Sequence, residues 1–425
     1  MKLYISTFLL LLTLLRSVCV YAETAEPSYE VDHLAVATVM IYDGRLDKAE
    51  AELSLVDTSA NNFDAARYYT ISGVLDSKKG AYENAIENYI RAIRETEAGM
   101  FGFQEETKKQ KYLFSIGQAD EDKIDAPVAD KETIKKEKLE KLHLYLAQAY
   151  YKVKNYTDTV KHLDLAGARG EDRSSLFALR AECHWQLKHF GDAIHALDRG
   201  LDLFPDDAAL LQQKYYYFAD LGLYQAAIEC ARKYMKTIDA IDKEYIILAQ
   251  LLLEADQPDE AIKILETAKA AFPKSANVDM LLGHAYMKKN MNYTAAELFK
   301  DGAYLDKKYL KDAVEIHRRI KDYAHAIYLN AQMNDPVEKL KQKVAIYLDR
   351  GEFEKVIGLH DDLERYSILE DDNMRYAIAY SYYMAKDFSN AEYHIKQIKM
   401  NTLFVKGTVI LRNIERCRQN ITECF

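Results

Sequence analysis

Lys188–Asp207 reads KHFGDAIHALDRGLDLFPDD, and Gln257–Ala276 reads QPDEAIKILETAKAAFPKSA. The two align at Ala193 and Ala261. Leucine follows four residues later in each (Leu197, Leu265), a small residue seven later (Gly200, Ala268) and proline twelve later (Pro205, Pro273). Apolar positions three and four apart lie on one helical face, and the proline ends that helix. Working outward, the same small-residue position recurs at Thr159, Ala193, Ala227, Ala261 and Ala295, each 34 residues after the last. A repeat of this length is one helical hairpin, whose open apolar face is covered by the next hairpin.

The register continues in both directions. Upstream, Ala85 heads GAYENAIENYIRAI (Gly80–Ile93) and Ala49 heads DGRLDKAEAEL. Downstream the period drifts, through Ala326, Val356 and Ala391 at steps of 31, 30 and 35 residues. Gly44, Gly80, Gly222 and Gly351 fall between the two helices of their units, where the chain must reverse. Gly73, Gly283, Gly200 and Gly302 fall where two helices cross closely. The expected fold is all-α, a right-handed superhelical solenoid of about ten helix–turn–helix units. Its segments are a signal peptide at 1–22, N-terminal units at 23–96, a charged insert at 97–138, a regular array at 139–304, irregular units at 305–400, and a capping helix with a cysteine-containing tail at 401–425. The insert holds Phe101, Phe103, Tyr112 and Phe114 beside the acidic ADEDKIDAPVAD (119–130), and its last part is expected to extend the first helix of the following unit.

Composition agrees with an array of helices. There are 16 glycines and 6 prolines in 425 residues, less than half of the roughly 12% usual for the pair. Tyrosine is abundant, 32 against 15 phenylalanines and one tryptophan. A net charge of −10 argues against nucleic acid as a partner, which would require a basic footprint. Lys2, the apolar run Phe8–Leu15 and Val20-Tyr21-Ala22 form an export signature with cleavage expected after Ala22. The expected location is therefore periplasmic or otherwise exported, with no membrane-spanning segment once the signal is removed. An uncleaved signal anchor is the alternative.

No nucleophile elbow, phosphate-binding glycine loop, dinucleotide fingerprint or HExxH metal motif occurs, so no catalytic residue, no metal and no cofactor is expected. His184, His189 and His195 come nearest to a cluster, but on a helical hairpin they are expected to point apart and to serve structural or surface roles. Cys183 and Cys230 read as small buried residues. Cys417 and Cys424 are too far apart to bond within one straight helix, but they could close a disulfide if the tail folds back after Asn420.

The first helix of each unit is expected to line a concave groove, carrying Gln148 and Tyr151, Glu182 and Trp185, Gln212 and Tyr216, Gln250, and His284 on successive units. Aromatic area with amide rims suits an extended peptide or a partner helix. From Val31 to Ile398 the chain resembles tetratricopeptide-repeat proteins, on the motifs quoted above. That resemblance implies a protein-binding scaffold. The lysine/asparagine clamp by which some such domains grip chaperone tails has no counterpart: the matching positions hold Leu144, Gln148, Leu179, Ala209 and Gln213. The stretch from AIYLNAQMNDPVEKLKQKVAIYL to YAIAYSYYMAKDF is similar to exported gammaproteobacterial tetratricopeptide proteins encoded beside TonB/ExbB/ExbD-type genes, and the paired C-terminal cysteines fit. This narrower resemblance implies a periplasmic helper of TonB-dependent energy transduction. The expected partner is thus a protein or peptide, such as an envelope complex. The alternatives are an assembly subunit of an envelope secretion or polysaccharide export machine and, last, an enzyme.

Overall fold

A computed structural model describes residues 31–99 and 130–419. They form an all-α helical repeat, and among the described residues there is no strand. Helices pair in sequence: α1 (His33–Tyr42) with α2 (Leu46–Ser54), α3 (Ala65–Lys79) with α4 (Tyr82–Glu97), α5 (Lys131–Lys152) with α6 (Tyr156–Leu165), and α7 (Ser174–Gln186) with α8 (Phe190–Leu203). Then come α9 (Ala208–Asp220) with α10 (Tyr224–Thr237), α11 (Asp242–Glu254) with α12 (Pro258–Ala271), and α13 (Ala276–Lys288) with α14 (Asn292–Leu305). The last pairs are α15 (Leu310–Arg319) with α16 (Tyr323–Ala331), α17 (Pro336–Asp349) with α18 (Phe353–Ile357) and α19 (His360–Arg365), and α20 (Asp372–Met384) with α21 (Phe388–Lys396). A single helix, α22 (Asn401–Gln419), follows. The chain divides between Ala196 and Leu197, inside α8, into two compact units.

The ten register positions fall at hairpin crossings. Ala49, Ala85, Thr159, Ala193, Ala227, Ala261, Ala295, Ala326, Val356 and Ala391 are all 0% exposed. Small side chains there let the backbones approach, and aromatics fill the space beside them. An added Cβ at Gly283 would stand 2.6 Å from the Phe299 ring, and one at Gly73 would stand 2.6 Å from the Tyr89 ring.

Every hairpin turns in the same way. The residue two before the second helix has positive φ: Gly44, Gly80, Gly222 and Gly351, but also Lys154, Lys188, Asp256, Asn290, Lys321 and Lys386. The next N–H bonds back to the carbonyl five residues earlier, as in His189 to His184 at 2.9 Å and Asp322 to His317 at 2.9 Å. This is the Schellman motif, which satisfies carbonyls orphaned at a helix C-terminus and brings the side chains of its first and last residues together. Glycine adopts the left-handed conformation without cost. Six hairpins hold it with another residue, at about 1 kcal/mol each.

α5 begins at Lys131, so the last part of the 97–138 insert extends the first helix of the following unit. The signal at 1–22, the four insert aromatics and Cys424 lie outside the described residues. Cys183 and Cys230 are buried free thiols, whereas Cys417, 7% exposed in α22, is disulfide-bonded. No helix among the described residues is long and apolar enough to cross a membrane.

Stacked imidazoles, half-buried or buried, occur in both units. In the first, His162 stacks between His143 and Tyr150, with Nδ1 of the two histidines 3.0 Å apart. In the second, His394 stacks on Tyr382 and meets His360 edge-on. Burial, aided by the neighbouring imidazole, pushes His162 and His394 down to about 4.

Two outcomes follow from this packing. Gly283→Ala is expected to destabilise by roughly 1–3 kcal/mol because Phe299 must move. Gly191→Ala, where a Cβ meets nothing within 4 Å, is expected to be neutral or stabilising. Urea unfolding followed by circular dichroism reads both. The second outcome concerns pH. The unfolded chain binds a proton at each of these histidines near pH 6.5 and the folded chain only near 4, so stability falls as pH drops through that window. Discounted for half-burial, the loss is on the order of 1 kcal/mol per imidazole. His394→Phe, which keeps the stack on Tyr382, should flatten the dependence of the second unit. An unchanged slope in that variant counts against the assignment.

Candidate functional site

In the first unit the first helices α1, α3 and α5 line a cleft of about 630 Å³. Its floor is aromatic. Tyr89 from α4 is 2% exposed, covers Gly73, and shares a 3.2 Å hydrogen bond between its hydroxyl and that of Ser77. Burial pushes the Tyr89 phenol up to about 12, so it stays protonated and able to donate. Tyr145 from α5 packs 5.6 Å from the Tyr89 ring, and Tyr42, 87% exposed at the end of α1, stands at the mouth. Thr38, Thr70 and Gln148 contribute hydroxyls and an amide to the walls.

The charge of the lining is one-sided. Lys78, Lys141 and Lys152 surround the tyrosines, and among the described residues no aspartate or glutamate lines the cleft. Lys141 Nζ lies 5.6 Å above the Tyr145 ring, an arrangement that holds an ammonium beside an apolar face. A neighbouring cleft of about 610 Å³ shares Thr38, Thr70, Lys141 and Tyr145 and continues toward Arg67 and Asp32, which pair at 2.9 Å. Together the two clefts run along three successive first helices, the first lined by tyrosines and lysines and the second carrying Asp32 and Asp64 beside Arg67, Lys138 and Lys141. Such a surface can hold an extended chain bearing carboxylates.

Of the residues expected in the groove from sequence, only Gln148 lines this cleft. Trp185 packs on Phe190 across its own hairpin turn, with ring centroids 4.7 Å apart, and Tyr151 lies 6.2 Å from Tyr156 in the same way. Glu182 accepts a 2.7 Å bond from Gln186 along α7. In the second unit Gln212 donates to the Tyr234 hydroxyl at 3.1 Å, so its amide is engaged within the fold. Tyr216 is exposed but leans on buried Tyr215. Gln250 and His284 do converge, on a shallow depression of about 450 Å³ with Lys243 and Asp312. The tyrosines of the first unit escaped the sequence reading because the insert separates α4 from α5 in sequence, which hides that α3 and α5 share a surface.

One sequence expectation is corrected. His184 and His189 do not point apart. Their ring centroids are 6.3 Å apart, and Asp192, not His195, joins them. The Schellman turn brings the two imidazoles together, because His184 and His189 are its first and last residues.

No family model matches the chain, and no curated protein does. Solved structures are similar at low identity. MamA protein is 15% identical over 50% of this chain and 93% of its own, with a TM-score of 0.35. MamA 41-end from Desulfovibrio magneticus RS-1 is 24% identical over 37% of this chain and 91% of its own, at 0.33. YrrB, a TPR protein with an unusual peptide-binding site, is 16% identical over 44% of this chain and 93% of its own, at 0.33.

Proposed function

We propose that this chain is a tetratricopeptide-type interaction scaffold, without catalytic activity of its own, whose first unit captures an extended acidic segment of a protein partner. The observation that carries the reading is the tyrosine-floored cleft bearing Lys78, Lys141 and Lys152 and, among the described residues, no carboxylate, in a chain with 67 acidic and 57 basic residues. Carboxylates are scarce there although the chain is rich in them, and the tyrosines supply contact area at little entropic cost. Within this reading, the export signature at 1–22 supports an exported, periplasmic location. The narrower role of helper in TonB-dependent energy transduction rests on the C-terminal resemblance alone.

Fluorescence anisotropy with labelled synthetic peptides tests the proposal. An acidic, aromatic-containing peptide is expected to bind the full chain, with affinity falling as salt rises. Lys78→Glu combined with Lys141→Glu should weaken it at least about tenfold while helical circular dichroism is retained. Equal affinity for acidic and basic peptides of the same length would sink the reading. Recovery of the chain from the soluble periplasmic fraction supports the exported location, and recovery from the cytosol removes it.

A further inference from the structure

We propose that His184, His189 and Asp192 form a binding site for a divalent transition-metal ion of the zinc, nickel or copper class. The three residues flank one hairpin turn. His184 lies in the last turn of α7, His189 immediately precedes α8, and Asp192 lies in the first turn of α8. One ligand atom from each falls within 4.8 Å of the others. Two features of the backbone make this convergence. The left-handed residue Lys188 closes the Schellman turn and sets His189 against His184. The helix start then places side chains three apart, His189 and Asp192, over the same end of α8.

The chemistry of the set fits a borderline ion. Two imidazoles and one carboxylate are donors taken by zinc and its neighbours, whereas calcium and magnesium favour oxygen alone. Ligands about 2.0–2.1 Å from a tetrahedral ion stand roughly 3.3 Å from one another, so the set must contract by at most about 1.5 Å. His189 and Asp192 are exposed and can rotate to do so, and they leave the site open to solvent. His184 is the fixed member. Its Nδ1 is buried and has no hydrogen-bond partner. A buried donor or acceptor without a partner costs about 1–3 kcal/mol, and a bound ion would remove that cost. The cation that acts on His184, Arg180, is paired with Asp164 at 3.0 Å, which tempers its repulsion of a metal ion.

The second unit supplies an internal control. His317, Asp322 and His325 occupy the same three positions around the turn at Lys321. There the carboxylate stands in the middle and hydrogen-bonds both imidazoles, to His317 Nδ1 at 3.2 Å and to His325 Nδ1 at 2.7 Å. That set is tied internally through both Nδ1 atoms, and His317 is 0% exposed, its Nε2 being buried without a partner. In the first set the carboxylate has moved to the end, and it is Nδ1 of His184, in a half-buried side chain beside exposed ligands, that has no partner.

Equilibrium dialysis of the metal-free full chain against zinc or nickel ions, with magnesium as the comparison, tests the proposal. The expected result is one zinc per chain and no magnesium. His189→Ala and, separately, Asp192→Asn should each weaken zinc uptake at least about tenfold. Both change exposed side chains and should leave circular dichroism intact, and His325→Ala should bind as the parent does. The zinc-induced rise in thermal midpoint should vanish in His189→Ala. No zinc uptake by the parent chain, undiminished uptake by both His189→Ala and Asp192→Asn, or loss on His325→Ala instead would each overturn the assignment.

Discussion

Two helices of a hairpin meet only as closely as the smallest side chain at their crossing allows. In this protein that side chain is alanine at eight of ten crossings, threonine at one and valine at one, and all ten are sealed from solvent. Once the crossing is close, the flanking aromatic has one place to lie, as Phe299 does over Gly283 and Tyr89 over Gly73. The open face of each hairpin then requires the next, and the repeat propagates through nearest neighbours. Where the crossing residue enlarges to Val356, the second helix of its unit also breaks, into α18 and α19.

The crossings were legible in the sequence because each depends on a single residue at a constant spacing. The glycine turns were legible for the same reason. The left-handed conformation at the six other turns was not, because Lys154, Lys188, Asp256, Asn290, Lys321 and Lys386 give no sign of it in their side chains. The fold imposes that conformation by hydrogen bonding, and what it imposes decides which side chains meet across the turn. For this reason the approach of His184 to His189 could not be read from helical spacing, which alone places them on different faces. The bond of Gln212 was hidden differently. Its position on a first helix was foreseen, but its bond to Tyr234 depends on a residue 22 positions away.

The cleft of the first unit and the histidine set share an origin. Both arise where a regular scaffold presents irregular chemistry: tyrosine and lysine on α1, α3 and α5, histidine and aspartate at one turn. Packing constrains the buried positions so tightly that variation is left to the exposed faces of the first helices and to the turns. In an array of this kind, function is written in those two places, and the core says little about it.

The one tryptophan of the chain, Trp185, sits next to His184 and rests on Phe190 across the same turn. Indole emission from this protein therefore originates in a single hairpin. In an array stabilised by nearest neighbours, hairpins can melt at different points, and the fluorescence will follow only the one that holds Trp185. A disagreement between emission and circular dichroism during unfolding would then measure how far the array departs from all-or-none behaviour.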